Sequence, residues 1–210
     1  MVMMPLRKTQ GRCTVFEKDY NMKITEMQVQ MIMPRASSLR VKEFVESFNK
    51  WADRFEISTP LRAAHYIGQV AHETGQLKWL EEIASGANYE GRKDLGNTQP
   101  GDGKRFKGRG YLQTTGRANY QAYASSIFCN GDLMSHPEWL AKQPGCQKSS
   151  MFFWWKNKLN QWADADDCRG VTRHINGGYN HFVERQNFTR MAKAVLCKPD
   201  TTDAEEEESV

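Results

Sequence analysis

The segment from Ser58 to Gly75 limits the fold more than any other part of the chain. Ser58-Thr59-Pro60 is a helix start signal, a capping hydroxyl followed by proline at the first helical position, and Gly75 is a stop signal. Between them Leu61, Ala63, Ala64, Tyr66, Ile67, Val70 and Ala71 surround the helix axis instead of forming one stripe, so this helix is expected to be buried. A helix of that kind needs others to cover it. From Ser38 onward Val41, Phe44, Val45, Phe48, Trp51, Ala52 and Phe55 fall on one helical face, with Lys42, Glu43, Lys50 and Asp53 opposite, as in a surface helix feeding a core. Helical patterns resume over Arg117–Ser126, Pro137–Lys142, Ser149–Trp162, Gly170–Ile175 and Phe182–Leu196. The dense aromatic run at Trp154 and Trp155 reads as core.

Eight of the 16 glycines lie between Gly86 and Gly116, which marks loops and a small hairpin. The expected fold is mainly α, a single two-lobed domain with this loop/hairpin region lining a cleft. Residues 1–35 read as an N-terminal extension or a first helix, with Met22 an alternative start; residues 36–198 form the main domain; residues 199–210 form an acidic, disordered tail. With 210 residues and 39% hydrophobic content the chain is long enough for one well-cored domain. Its net charge of +4 includes the run Glu205 to Glu208, so the body is more basic than the total suggests.

No stretch approaches the roughly 20 apolar residues that cross a bilayer, and Met1 to Lys8 lacks the apolar core of a secretory signal. The expected location is the cytoplasm until release. Cys13, Cys129, Cys146, Cys168 and Cys197 have no zinc-site spacing, so no metal is expected; one or two disulfides are open, with no connectivity legible.

Glu73 falls in the last turn of the buried helix, where burial and the negative end of the helix dipole both disfavour a carboxylate. That is how a glutamic acid is kept protonated as a general acid, and a capped or salt-bridged helix-end glutamate is the alternative. Glycosidic cleavage usually takes a second carboxylate, for which Glu81, Glu82 and Glu90 are candidates. On a straight helix Glu73 and Glu82 would point to opposite sides, roughly 13 Å apart along the axis. A chain that turns back at Gly75 lets them face each other at the roughly 6.5 to 9.5 Å of an inverting mechanism.

Ala71-His72-Glu73-Thr74-Gly75, the run from Phe106 to Tyr120 (Phe-Lys-Gly-Arg-Gly-Tyr-Leu-Gln-Thr-Thr-Gly-Arg-Ala-Asn-Tyr) and Ile175-Asn176-Gly177-Gly178 resemble family 19 glycoside hydrolases, from about residue 40 to 197. The segment Gly96 to Gly103 looks closer to the phage or prophage endolysin branch than to plant chitinases. The resemblance implies a lysozyme-like fold, no cofactor, and a bacterial cell-wall polysaccharide as partner, with chitin, or an inactive wall-binding relative, as alternatives. A monomer without nucleic-acid or membrane partners is expected.

Residue by residue, it implies Glu73 as acid, Glu82 as base and Thr115 as the hydroxyl that orients water. Gln113, Asn119 and Asn176 would bind sugar N-acetyl and hydroxyl groups; His72, which precedes the acid, and Arg185 would also line the substrate site, with Arg185 near the paired glutamates to hold the base ionised. An ordinary surface salt bridge is the alternative for Arg185. Tyr89, Tyr111 and Tyr120 could stack on sugar rings, core packing being the alternative. Arg92, Lys93, Lys104, Arg105, Lys107 and Arg109 would attract an anionic wall.

Overall fold

The computed structural model describes residues 22–197; the expectations for residues 1–21, including Cys13, and for the acidic tail lie outside them. Among the described residues there are nine α-helices and no sheet. They are α1 (Glu26–Ile32), α2 (Ser38–Trp51), α3 (Pro60–Glu73), α4 (Asp102–Arg105), α5 (Arg117–Ala124), α6 (Gly145–Lys156), α7 (Asn160–Asp164), α8 (Cys168–Asn176) and α9 (Phe182–Leu196).

α3 is the axis of the fold. The Thr59 hydroxyl caps it by accepting from the Arg62 N–H at 3.2 Å, and every residue from Ala63 to Ala71 is buried. α9 packs along it most extensively, and the contact depends on Gly68. A Cβ there would lie 2.5 Å from Thr189 Oγ1 and 2.8 Å from Thr189 Cα. The obstacle is backbone, so a larger residue must push α9 away. We expect Gly68→Ala to destabilise the protein by about 1–3 kcal/mol despite alanine's better helix propensity. Urea unfolding measures this, and an unchanged midpoint contradicts it.

α1 belongs to this core. Thr25 and Gln28 form a reciprocal capping box, and Ile24, Val29, Ile32 and Met33 are buried where α1 packs on α2 and α9. α2 buries Val41, Phe44, Val45 and Phe48 as its pattern predicts.

The single helix expected over Ser149–Trp162 is two. α6 starts at Gly145 and ends at Lys156, Lys158 takes φ 53°, and α7 begins at Asn160. The break buries Leu159 and lets the Trp154 indole N–H donate to Asn160 Oδ1 at 2.7 Å. No glycine or proline marks it. Trp154 is core, but Trp155 is 39% exposed and donates to Glu56.

The glycine-rich segment is loops and short 3₁₀ turns at Ala87–Tyr89 and Lys93–Leu95. The expected hairpin reduces to isolated antiparallel bridges, Glu81 with Arg109 and Arg109 with Thr114. Cys129, Cys146, Cys168 and Cys197 are all free thiols.

Candidate active site

α3 ends where its side chains and the following turn take over its last carbonyls. The Thr74 hydroxyl donates to the Val70 carbonyl and accepts from the Leu77 N–H, both at 2.7 Å, while the Gln76 N–H reaches the Ala71 carbonyl at 2.8 Å. Gly75, Gln76 and Leu77 take φ of 56°, 63° and 64° in succession. The two non-glycine residues each cost about 1–2 kcal/mol in that conformation. Tertiary contacts hold them there: Leu77 is 1% exposed, and Gln76 Oε1 accepts from the Arg35 N–H. The chain therefore reverses two residues beyond Glu73.

Glu73 is half-buried and pairs with Arg185, Nη1 to Oε1 2.6 Å. The same nitrogen donates to Gln69 Oε1 at 2.8 Å, the Arg185 Nε donates to the Asn180 carbonyl, and the Gln69 amide donates to the Thr172 hydroxyl. Arg185 is 1% exposed, so the surface salt bridge does not apply, and its carboxylate partner is Glu73, not the candidate base. Gln69 stands four residues before Glu73, one turn back on the same helix face, and that spacing was the signal that could have found it. His72 bonds Glu184 at 3.0 Å and packs near the His181 ring. Asn176 ends α8 and accepts from the Asn180 N–H.

A second group gathers around Gly108. The Leu80–Glu82 segment runs antiparallel to Gly108–Gly110, through Glu82 N–H to the Gly108 carbonyl and Gly110 N–H to the Leu80 carbonyl, both 2.9 Å. This brings the Glu82 carboxylate to the Gly108 N–H at 3.3 Å, and the Tyr89 hydroxyl donates to its other oxygen at 3.0 Å. Burial, then the bond to Glu82, raises the Tyr89 pKa and keeps it a donor. A Cβ on Gly108 would meet Gln113 Oε1 at 2.6 Å, Thr115 Oγ1 at 3.2 Å and Glu82 Oε2 at 3.4 Å. The three side chains share one small space that only glycine leaves open. The Thr115 hydroxyl donates to the Gln113 carbonyl at 2.9 Å, which leaves its lone pairs for a water proton. The exposed Asn119 amide donates to the Thr115 carbonyl.

The other candidates are engaged elsewhere. Glu81 pairs with Arg109 at 2.8 Å and Lys107 at 3.3 Å; Glu90 accepts from the Gly101 and Gly103 N–H groups at 2.6 and 2.8 Å. Arg109, 6% exposed, and Lys107, which also bonds the Glu82 carbonyl, are structural cations instead of lures for a polymer. Tyr111 and Tyr120 cannot stack on sugar: both are at most 1% exposed. Tyr111 packs against Phe44 and accepts from Gln143, while Tyr120 packs against Phe106 and donates to the Lys107 carbonyl.

Two imidazoles make stability depend on pH. Burial holds His65 below its ordinary value of 6.5, against the opposing pull of Asp166, which it meets at 2.9 Å. Burial, then the Arg185 charge, lowers His72 in the same way. With folded values depressed, the unfolded chain binds more protons, so this stability is present above about pH 6.5 and is lost as pH falls through the lower folded values. The melting temperature should drop between pH 7.5 and 5 and change little from 7.5 to 8.5. A flat profile below 7 contradicts this.

No family model matches the sequence. A glycosyl hydrolase family 19 domain-containing protein of Haemophilus influenzae is 25% identical over 200 residues, covering 80% of this chain and 95% of that protein. An endochitinase of Arabidopsis thaliana is 35% identical over 119 residues, 55% of this chain; the match spans 39% of the plant protein's length. Chitinase C from Streptomyces griseus has a similar structure, with a TM-score of 0.65 at 21% identity over 83% of this chain and 93% of that one. The family 19, class IV chitinase from Zea mays gives 0.64 at 19%, over 84% and 94%. Fold and relatives together define a glycoside hydrolase. By sequence and by fold the chain is similar to family 19 of that class.

Proposed function

We propose that this glycoside hydrolase cuts β-1,4 linkages in the glycan strands of bacterial peptidoglycan, with inversion, in the manner of an endolysin. Glu73 protonates the leaving glycosidic oxygen, and Glu82 takes a proton from a water held by the Thr115 hydroxyl, which attacks the opposite face of the sugar. Tyr89 and the Gly108 N–H orient the base. Gln113, Asn119 and Asn176 bind N-acetyl and hydroxyl groups of the glycan. The observation that carries the catalytic reading is the meeting of Glu82, Thr115 and Gln113 around Gly108, while Glu81 and Glu90 are held by other partners.

Charge supports this substrate. A cavity of about 660 Å³ opens beside the turn after Glu73, lined by Arg35, Arg40, Lys78 and the half-exposed Trp79, with no carboxylate. An anionic strand suits it better than a neutral one, and peptidoglycan carries carboxylates on its peptide stems. Chitin is the second reading, favoured by the chitinases among the relatives.

Turbidity loss of purified peptidoglycan beside reducing-end release from chitin separates the two. Hydrolysis of neither sinks the enzyme reading. Glu82→Gln should lower turnover by roughly 10²–10⁴-fold, and Glu90→Gln should leave most of it. The opposite pattern moves the base to Glu90 and keeps the rest.

A further inference from the structure

A second cavity, of about 350 Å³, is lined by Trp51, Leu133, Trp139, Leu140, Lys148 and Gly145 among others. Of its lining residues only Tyr123 also lines the hollow at Gln113, Thr115 and Asn119, so the two spaces lie against different residues. Its walls are mostly apolar and aromatic, with Asn130, Lys142, Gln143 and Lys148 as polar members, and no aspartate or glutamate lines it.

Lys148 is the unusual member. It projects from α6 with 5% exposure, and its Nζ lies 4.3 Å from the Trp51 ring centroid. Among the described residues Nζ has no hydrogen bond and no carboxylate partner, and the other cations near that ring, Lys50 at 5.4 Å and Arg54 at 5.2 Å, add to its charge instead of offsetting it. Burial lowers the Lys148 pKa. The Lys148 side chain is nearly covered but lines the cavity, so its ammonium is partly desolvated, and the cation–π contact offsets part of that cost. The positive end of α6 points the same way: Pro144 caps that helix with no side-chain hydrogen bond, and Gly145 at its first turn lines the cavity.

We propose that this cavity binds a small amphiphilic carboxylate, its apolar body between Trp51, Leu133, Trp139 and Leu140 and its anionic head on Lys148. The volume lies at the lower end for small-molecule sites, where mostly apolar walls with a few placed polar groups are the usual composition. The site is separate from glycan cleavage and does not depend on the reading of Glu73 and Glu82.

The probe is 4-phenylbutyrate, with its neutral amide as control, titrated into the full chain and followed by tryptophan fluorescence. The acid should bind saturably, and the amide about tenfold or more weakly. Lys148→Met should bring the acid down to the level of the amide. It should also melt close to wild type, because the ammonium has no carboxylate partner to lose, and glycan hydrolysis should be unchanged. Lys148→Gln, shorter and still polar, should give the same loss of discrimination. Leu133→Trp, which fills the cavity, should block both probes. Absence of saturable binding, equal affinity for acid and amide, or undiminished acid binding by both Lys148 variants overturns the proposal.

Discussion

Glu73→Gln should abolish glycan cleavage to within about one part in 10³ of the wild-type rate while leaving the protein folded. The amide cannot give a proton to a leaving oxygen, which removes the acid step at its source. Its oxygen can still accept from Arg185, whose Nη1 lies 2.6 Å from the native carboxylate, so the buried guanidinium keeps a partner. The stability cost should therefore stay near 1–2 kcal/mol. Turnover on peptidoglycan and chitin, measured beside a urea midpoint, separates the two effects. An undiminished rate removes Glu73 from the reaction and leaves the proposed mechanism without its acid.

Arg185→Met should be the most disruptive single change near the site. Arg185 joins α9 to Glu73 and Gln69 on α3, and to the Asn180 carbonyl in the loop after α8. Methionine fills part of the volume but leaves Gln69 Oε1 without a donor and Glu73 without its cation. Loss of one partner from a buried pair costs about 3–5 kcal/mol; Glu73 is 19% exposed, so solvent takes up part of this, and about 2–3 kcal/mol is expected. Turnover should fall with little change in KM, because the arginine positions the acid and binds no sugar. Arg185→Lys should restore part of the stability but not the two-partner contact. If the methionine variant keeps both its wild-type midpoint and its pH–rate profile, the arginine neither holds the fold nor positions the acid.

The legible and illegible parts of the site divide along a physical line. Burial of α3 and its end beside Glu73 were readable because alternation around a helix axis, a hydroxyl before proline and a glycine stop act over a few residues. The reversal at Gly75 was anticipated for the same reason, although its continuation through left-handed Gln76 and Leu77 was not. Those two conformations are held by burial of Leu77 and by the Arg35 N–H, 41 positions away from Gln76. The break between α6 and α7 escaped for a similar reason, since Leu159 burial and the Trp154–Asn160 bond decide it. Tyr111 and Tyr120 read equally well as sugar platforms or as core, and their neighbours, Phe44 and Phe106, settle them as core.

What the sequence by itself determined is the helical class, the buried axis helix with Glu73 in its last turn, and the run of glycines that leaves room around Gly108. Only the tertiary structure decided that Arg185 meets Glu73, and that Glu81 and Glu90 are held by Arg109 and by loop N–H groups while Glu82 lies with Thr115 and Gln113. Periodicity and capping are local energies written in neighbouring residues, whereas the partner of a charged group depends on which distant segments the packed core brings within hydrogen-bond reach.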